Sequence, residues 1–257
     1  MTIKACAEHV RRGDPDRFAA VKAAPVAARA RLFPIYAWNL EVARAPWVTT
    51  EHLIAEMRLQ WWRDVVDNAS SGAARAHEVA GPLHQVIKDC NLPVEVMDRL
   101  IVARRADIDA EPFADDAALA AYLEDTGAGL MWLAARALGA EAAAEGAVRN
   151  YGWAAGLANY LSAVPDLIAR GRTPLVDASP AGIARLARDG RARILQARSQ
   201  RQTVPKTVSP ALLGGWQAKA ILTEAGNDPN AVLQGRLGQS EFSRRWGLLW
   251  QATTGRW

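Results

Sequence analysis

The stretch Tyr36-Ala37-Trp38-Asn39-Leu40-Glu41-Val42-Ala43-Arg44 decides how this chain folds, read with Met57-Arg58-Leu59-Gln60-Trp61-Trp62-Arg63-Asp64. Both stretches read as one-sided helices. In the first, Tyr36, Asn39 and Ala43 recur at helical spacing and share a face. Around the second, Ile54, Met57, Trp61, Val65 and Ala69 form an apolar stripe spaced 3-4-4-4. Thr49/Thr50 cap the expected helix, which runs to about Ala69 and is closed by Ser70-Ser71-Gly72.

Outward from these stretches the pattern stays helical. No segment sustains the period-2 alternation of a strand, and alanine is abundant. Asp14 and Pro15 have the chemistry of a helix cap and first helical position. A helix over 25–45 follows, with Pro34 expected to kink it or mark its true start. Further helices are predicted over about 76–90, 93–110, 115–138, 141–163, 180–199, 210–225 and 229–252. Asn91-Leu92-Pro93 and Glu111-Pro112 punctuate them, and longer loops lie at Gly171–Pro180 and Gln202–Pro210. Short connections imply that sequential helices pack as antiparallel neighbours. With no internal repeat or composition shift, residues 1–257 read as one all-α domain.

The bulk numbers agree with such a core. The chain has 257 residues, 50% hydrophobic and 23% charged, a globular balance. A net charge of +4 helps contact with an anionic surface or a diphosphate without demanding either. No basic run reads as a nucleic-acid arm. Cys6 and Cys90 read as two free thiols, and the four histidines lack metal-site spacing. No apolar leader core and no spanning segment is visible, so the chain is expected in the cytoplasm, touching a membrane only from its inner surface.

The order of motifs resembles the squalene/phytoene synthase superfamily over roughly residues 14–175. The resemblance is carried by Asp14-Pro15-Asp16-Arg17-Phe18, Leu32–Glu41, Glu56–Asp64, Arg104-Arg105-Ala106-Asp107-Ile108-Asp109, Tyr122–Gly127 and Gly156–Leu175. Arg58–Asp64 is the most specific piece. The resemblance implies an isoprenoid-synthase helical bundle with a central cavity. Its active members condense two prenyl diphosphates with magnesium, which needs hard oxygen ligands to neutralise the leaving diphosphate. Those ligands come from two aspartate motifs of i, i+4 spacing on facing helices.

Here the first motif falls on Ala43-Arg44-Ala45-Pro46-Trp47 and the second on Ala163-Val164-Pro165-Asp166-Leu167. The four ligand positions read Ala43, Trp47, Ala163 and Leu167, and Arg44 would repel a metal ion. Pro165 is expected to bend its helix. Leu40 stands where active members have an arginine. The pattern is closer to a branch of the superfamily that lacks the aspartate motifs and includes a mitochondrial complex I assembly factor.

Tyr36, Asn39, Glu41, Arg58, Trp61, Tyr122, Asn159 and Asp166 are the candidate residues of a ligand-binding cavity. Arg58 sits on the predicted apolar stripe, so it should be a buried partner of Asp107, Asp109 or Glu41, or a diphosphate or headgroup contact. Gly152, Gly156, Asn159 and Ala163 share a face that suits close helix contact or a cavity floor. Phe242, Trp246, Leu249 and Trp250 share a face of the last helix, which should dock on the domain or lie in a membrane interface. The resulting expectation is a non-catalytic protein without cofactor. It would act in assembly of a respiratory membrane complex or bind an isoprenoid or lipid, without nucleic acid. The rivals are a prenyl-diphosphate transferase with magnesium rearranged onto Glu41, Asp64 or Asp166, and a membrane-surface adaptor.

Overall fold

Helix α1 (Ile3–Gly13), which the sequence signals do not mark, opens the chain and buries Cys6 and Val10 one turn apart against the helix 26–44. The computed structural model describes residues 2–69, 72–109 and 111–257; the Ser70-Ser71 part of the predicted closing signal lies outside them. Among the described residues there is no strand.

Helix α2 (Pro15–Ala23) starts as its cap chemistry requires, with an Asp14 carboxylate oxygen accepting the Arg17 N–H at 2.8 Å. Helix α3 (Val26–Arg44) runs straight through the expected break at Pro34. Every residue from Leu32 to Leu40 is buried. The helix is therefore enclosed by α1, by α2, by later helices and by the cavity that they surround, not one-sided as its spacing suggests. That burial offsets the hydrogen bond that Pro34 cannot donate.

Helix α4 (His52–Asp67) begins after Glu51, whose N–H is accepted by Thr49 Oγ1 at 3.1 Å. Its buried face is Ala55, Leu59, Trp62, Val65 and Val66; of the predicted stripe Val65 is buried, while Ile54 and Met57 are 38% and 64% exposed. Helices α5 (Ala80–Cys90) and α6 (Val94–Ala103) follow, with α4 packed on α6. The predicted helix over 115–138 divides into α7 (Asp116–Leu123), a π-turn at Glu124–Ala128 and α8 (Gly129–Ala137).

Helix α9 (Glu145–Ala169) passes through Pro165 and runs to Ala169, longer than its spacing indicated. It packs on α8, on the π-turn and on α10 (Pro180–Ser199). A Cβ on Gly127 would lie 2.8 Å from the Gly156 Cα, so the π-turn and α9 meet backbone to backbone. The short α11 (Ser209–Leu212), α12 (Ala218–Asn227) and α13 (Asn230–Leu233) complete the far side.

Helix α14 (Glu241–Thr254) is separate from α13, and docks by the face opposite its aromatic one. Leu248 and Ala252 pack beside Ala20, Leu213 and Trp216; Arg244 pairs with Asp16. Gln251 Nε2 donates to the Trp216 carbonyl at 3.0 Å. Phe242, Trp246, Leu249 and Trp250 are left 79%, 62%, 54% and 45% exposed. Trp257, to which the sequence assigns no role, is buried with its ring 5.1 Å from Tyr151.

Candidate functional site: a central cavity walled by arginine and tryptophan

A cavity of about 780 Å³ opens between α3, α9, the N-terminal turn of α2 and the π-turn. That volume suits a small-molecule ligand. Tyr36, Asn39, Ala43 and Arg44 reach it from α3, because helical spacing stacks them on one face. Asn159, Ala163, Asp166 and Leu167 reach it from α9, beyond the point where Gly152 and Gly156 close on Gly127. The small-residue face of α9 thus serves both close contact and the cavity wall.

Of the candidate residues, Tyr36, Asn39, Tyr122, Asn159 and Asp166 line the cavity. Glu41, Arg58 and Trp61 do not. Glu41 turns towards α1, where its Oε1 lies 2.9 Å from His9 Nε2; the contact with the imidazole holds its carboxyl below the usual value of 4.5. Arg58 is exposed, because α4 presents the Ala55–Leu59 side to the core instead of the predicted stripe. Its expected partners are engaged elsewhere: Asp107 with Arg104, Asp109 with His52, and Glu41 with His9. Trp61 is half-buried in an aromatic corner, edge-on to Trp62 at 4.7 Å and to His77 at 5.2 Å.

One wall is a buried polar knot. The Tyr122 hydroxyl donates to Asp107, with both carboxylate oxygens at 3.0 Å, and accepts from Arg104 Nη1 at 2.5 Å. Arg104 Nη1 also faces Asp107 Oδ2 at 3.1 Å. Burial pushes the Tyr122 hydroxyl pKa far above its ordinary value, so it stays protonated. Across the cavity, burial raises Tyr36 to about 12, with Arg17 over its ring at 5.0 Å. The Arg104–Asp107 pair is visible in the sequence as an i, i+3 contact, yet nothing local ties it to Tyr122.

The mouth is built around Trp47, a residue read at first only as a missing aspartate. The Arg170 and Arg172 guanidinium carbons lie 5.2 and 5.1 Å from its ring centre. Arg172 also donates to the Asp107 and Ile108 carbonyls, which ties the end of α9 to the Arg104–Asp107 turn. The stacking of these two arginines on Trp47 is long-range and carries no local signal in the sequence.

The squalene/phytoene synthase family model matches residues 10–178. The chain belongs to the squalene/phytoene synthase family. Its fold is that of a dehydrosqualene synthase crystallised with ligand, at TM-score 0.79 and 15% identity over 98% of this chain and 95% of that one. A squalene synthase, HpnC from Alicyclobacillus acidocaldarius, superposes at TM-score 0.76 and 19% identity over 91% and 94% of the two chains. In sequence the chain is similar to the NADH dehydrogenase (ubiquinone) complex I assembly factor 6 of Bos taurus, 27% identical over 64% of this chain and 50% of the relative. The Homo sapiens protein of the same name is 26% identical over 62% and 48%. The chain spans about half the length of these curated relatives.

Magnesium, which the family implies, does not fit the residues present. Ala43, Trp47, Ala163 and Leu167, the positions that the resemblance gives to the metal ligands, all line the cavity and carry no side-chain oxygen donor. Among the described residues no three His, Cys, Asp or Glu side chains gather as a metal needs. Of the carboxylates a rearranged site would use, Asp166 lines the cavity, Glu41 faces His9, and Asp64 is bound by Gln60 and Arg75.

Proposed function

We propose that this protein is a non-catalytic member of its family that works by binding, in the assembly of a respiratory membrane complex of the complex I type. An isoprenoid or lipid is the ligand its cavity would take. One observation carries the reading: the four metal-ligand positions converge on the cavity and read Ala43, Trp47, Ala163 and Leu167. A diphosphate cannot leave an allylic carbon readily without a charge to receive it, and the family's route to that charge is absent. The likeness to complex I assembly factor 6 supports the assembly role. The purified protein, given farnesyl or geranylgeranyl diphosphate with Mg²⁺, should release no pyrophosphate; release above a no-protein control would overturn the non-catalytic reading. A pull-down from membranes of the source organism should bring respiratory-complex subunits with it, and their absence would remove the assembly role.

A second reading is favoured by the exposed aromatic face of α14. There the protein would lie against the inner surface of a membrane as a peripheral adaptor, with Trp246 and Trp250 at headgroup level. Among the described residues no helix is long and apolar enough to cross a membrane. The two readings are compatible.

A further inference from the structure

The outer face of α4 is apolar and unpartnered, where the spacing of its residues predicts a core. Leu53, Ile54 and Met57 are 71%, 38% and 64% exposed, and Val48, just before the helix, is 51% exposed. The first three gather on one side of the first two turns, opposite the buried Ala55 and Leu59. The charges beside them divide in two. His52 lies 3.6 Å from Asp109, and Glu56 lies 3.0 Å from Arg105, so both are met within the chain. Glu51 and Arg58 are exposed, and among the described residues neither has a partner for its charged group. Glu51 is the N-cap residue of α4, yet its carboxylate makes no capping bond. Seven positions separate the two, which sets them two turns, about 10 Å, apart on the same flank of the apolar strip. The larger aromatic face of α14 lacks this feature, because its Glu241 and Arg245 pair with each other.

The pattern is complementary to itself. Turned end for end about a two-fold axis at the middle of residues 51–58, a second α4 sets its Arg58 against Glu51 and its Glu51 against Arg58. Leu53, Ile54 and Met57 of both copies fill the space between. Flanking charges of paired helices meet in this way. Glu56, on the other flank, is already neutralised by Arg105 and does not repel its own copy. A membrane surface would favour charges of one sign, whereas opposite signs stand at the two ends of this strip. We propose that the exposed face of α4 is an isologous dimer interface, occupied by the same face of a second copy of this chain and closed by two Glu51–Arg58 ion pairs. Exposed ion pairs add little affinity; their part here is to fix direction and register. Two helical turns make a small interface, so monomer and dimer should exchange at micromolar concentration. The dimer does not depend on what the cavity binds.

The test is sedimentation velocity of the intact chain from about 1 µM to about 500 µM. A concentration-dependent shift from monomer to dimer is expected. Arg58→Glu and Glu51→Arg should each weaken dimerisation at least about tenfold, because each puts two like-charge pairs across the interface. The double swap, Glu51→Arg with Arg58→Glu, should bring the affinity back to within about threefold of the native value. Met57→Ser should weaken it about tenfold by removing apolar contact without touching a charge. All of these change exposed side chains, and thermal unfolding of dilute samples confirms that each variant is folded. A monomer throughout the series overturns the proposal and leaves the face to a different protein. A dimer whose affinity the single reversals leave unchanged, or which the double swap fails to restore, also overturns it. A dimer broken by Phe242→Ser with Trp246→Ser, and not by the α4 changes, places the contact on α14 instead. No turnover is read, so failure here leaves the non-catalytic reading standing.

Discussion

Gly127 shows how finely single residues set the cavity. It sits in the π-turn with its Cα against α9, and an added Cβ would fall 2.8 Å from Gly156 Cα and 2.9 Å from the Gly152 carbonyl. Both contacts are backbone, so no side chain can swing away. Gly127→Ala should therefore cost about 1–3 kcal/mol in urea denaturation; an unchanged midpoint would show that the π-turn gives way freely. Glu41 sets a second residue-scale expectation. Its carboxyl is held below 4.5, first by the contact with His9, then against the opposing effect of burial. The unfolded chain therefore binds the proton more readily than the folded one. The stability this contributes is present above the unfolded value and is lost as pH falls through the lowered one. The advantage of the native protein over Glu41→Gln should thus shrink as pH falls below 4.5, as followed by thermal unfolding. An advantage that grows on acidification would contradict the assignment.

Among the elements, most helices are legible in the sequence, and the faces they bury are less so. Asp14, Pro15 and Pro180 mark helix starts by backbone chemistry alone, which is local and therefore readable. The buried side of α4 is not local. Ile54-Met57-Trp61-Val65 and Ala55-Leu59-Trp62-Val66 are both apolar stripes, and packing against α6 and the other neighbours selects the second, with Val65 buried beside it. Helix α14 repeats the lesson. Its large apolar face looks like the docking face, yet Arg244, Leu248, Gln251 and Ala252 make the contact. The aromatic face gives a direct test. Phe242→Ser with Trp246→Ser touches exposed side chains and should change folding stability by no more than about 0.5 kcal/mol. The pair should nevertheless abolish co-flotation with vesicles containing anionic lipid, if α14 is the membrane contact. Equal flotation of native and substituted protein would remove that reading. Deleting the whole segment 241–257 is a poorer test, because it also removes the buried Trp257.

For the whole molecule, fold and site part company. The backbone superposes on dehydrosqualene synthase across 98% of the chain at 15% identity, a likeness of fold alone. Motif order made the cavity legible, along with the absence of aspartates at its metal-ligand positions. The arginine–tryptophan mouth was not legible, because Trp47, Arg170 and Arg172 meet only in three dimensions. A ligand that binds the folded state alone raises its melting temperature. Millimolar Mg²⁺ should therefore leave the melting temperature at its value in EDTA. A specific rise, absent with a monovalent salt of equal ionic strength, would reveal a metal site that the carboxylate arrangement does not suggest.

The stacked Trp47 also has a bearing on what engineering or drift can do to this protein. One aspartate placed at 43, 47, 163 or 167 would offer a magnesium ion a single carboxylate, where the ion needs several oxygen ligands at once. A way back to metal chemistry therefore needs several substitutions together, and one of them, at Trp47, also removes the ring on which Arg170 and Arg172 lie.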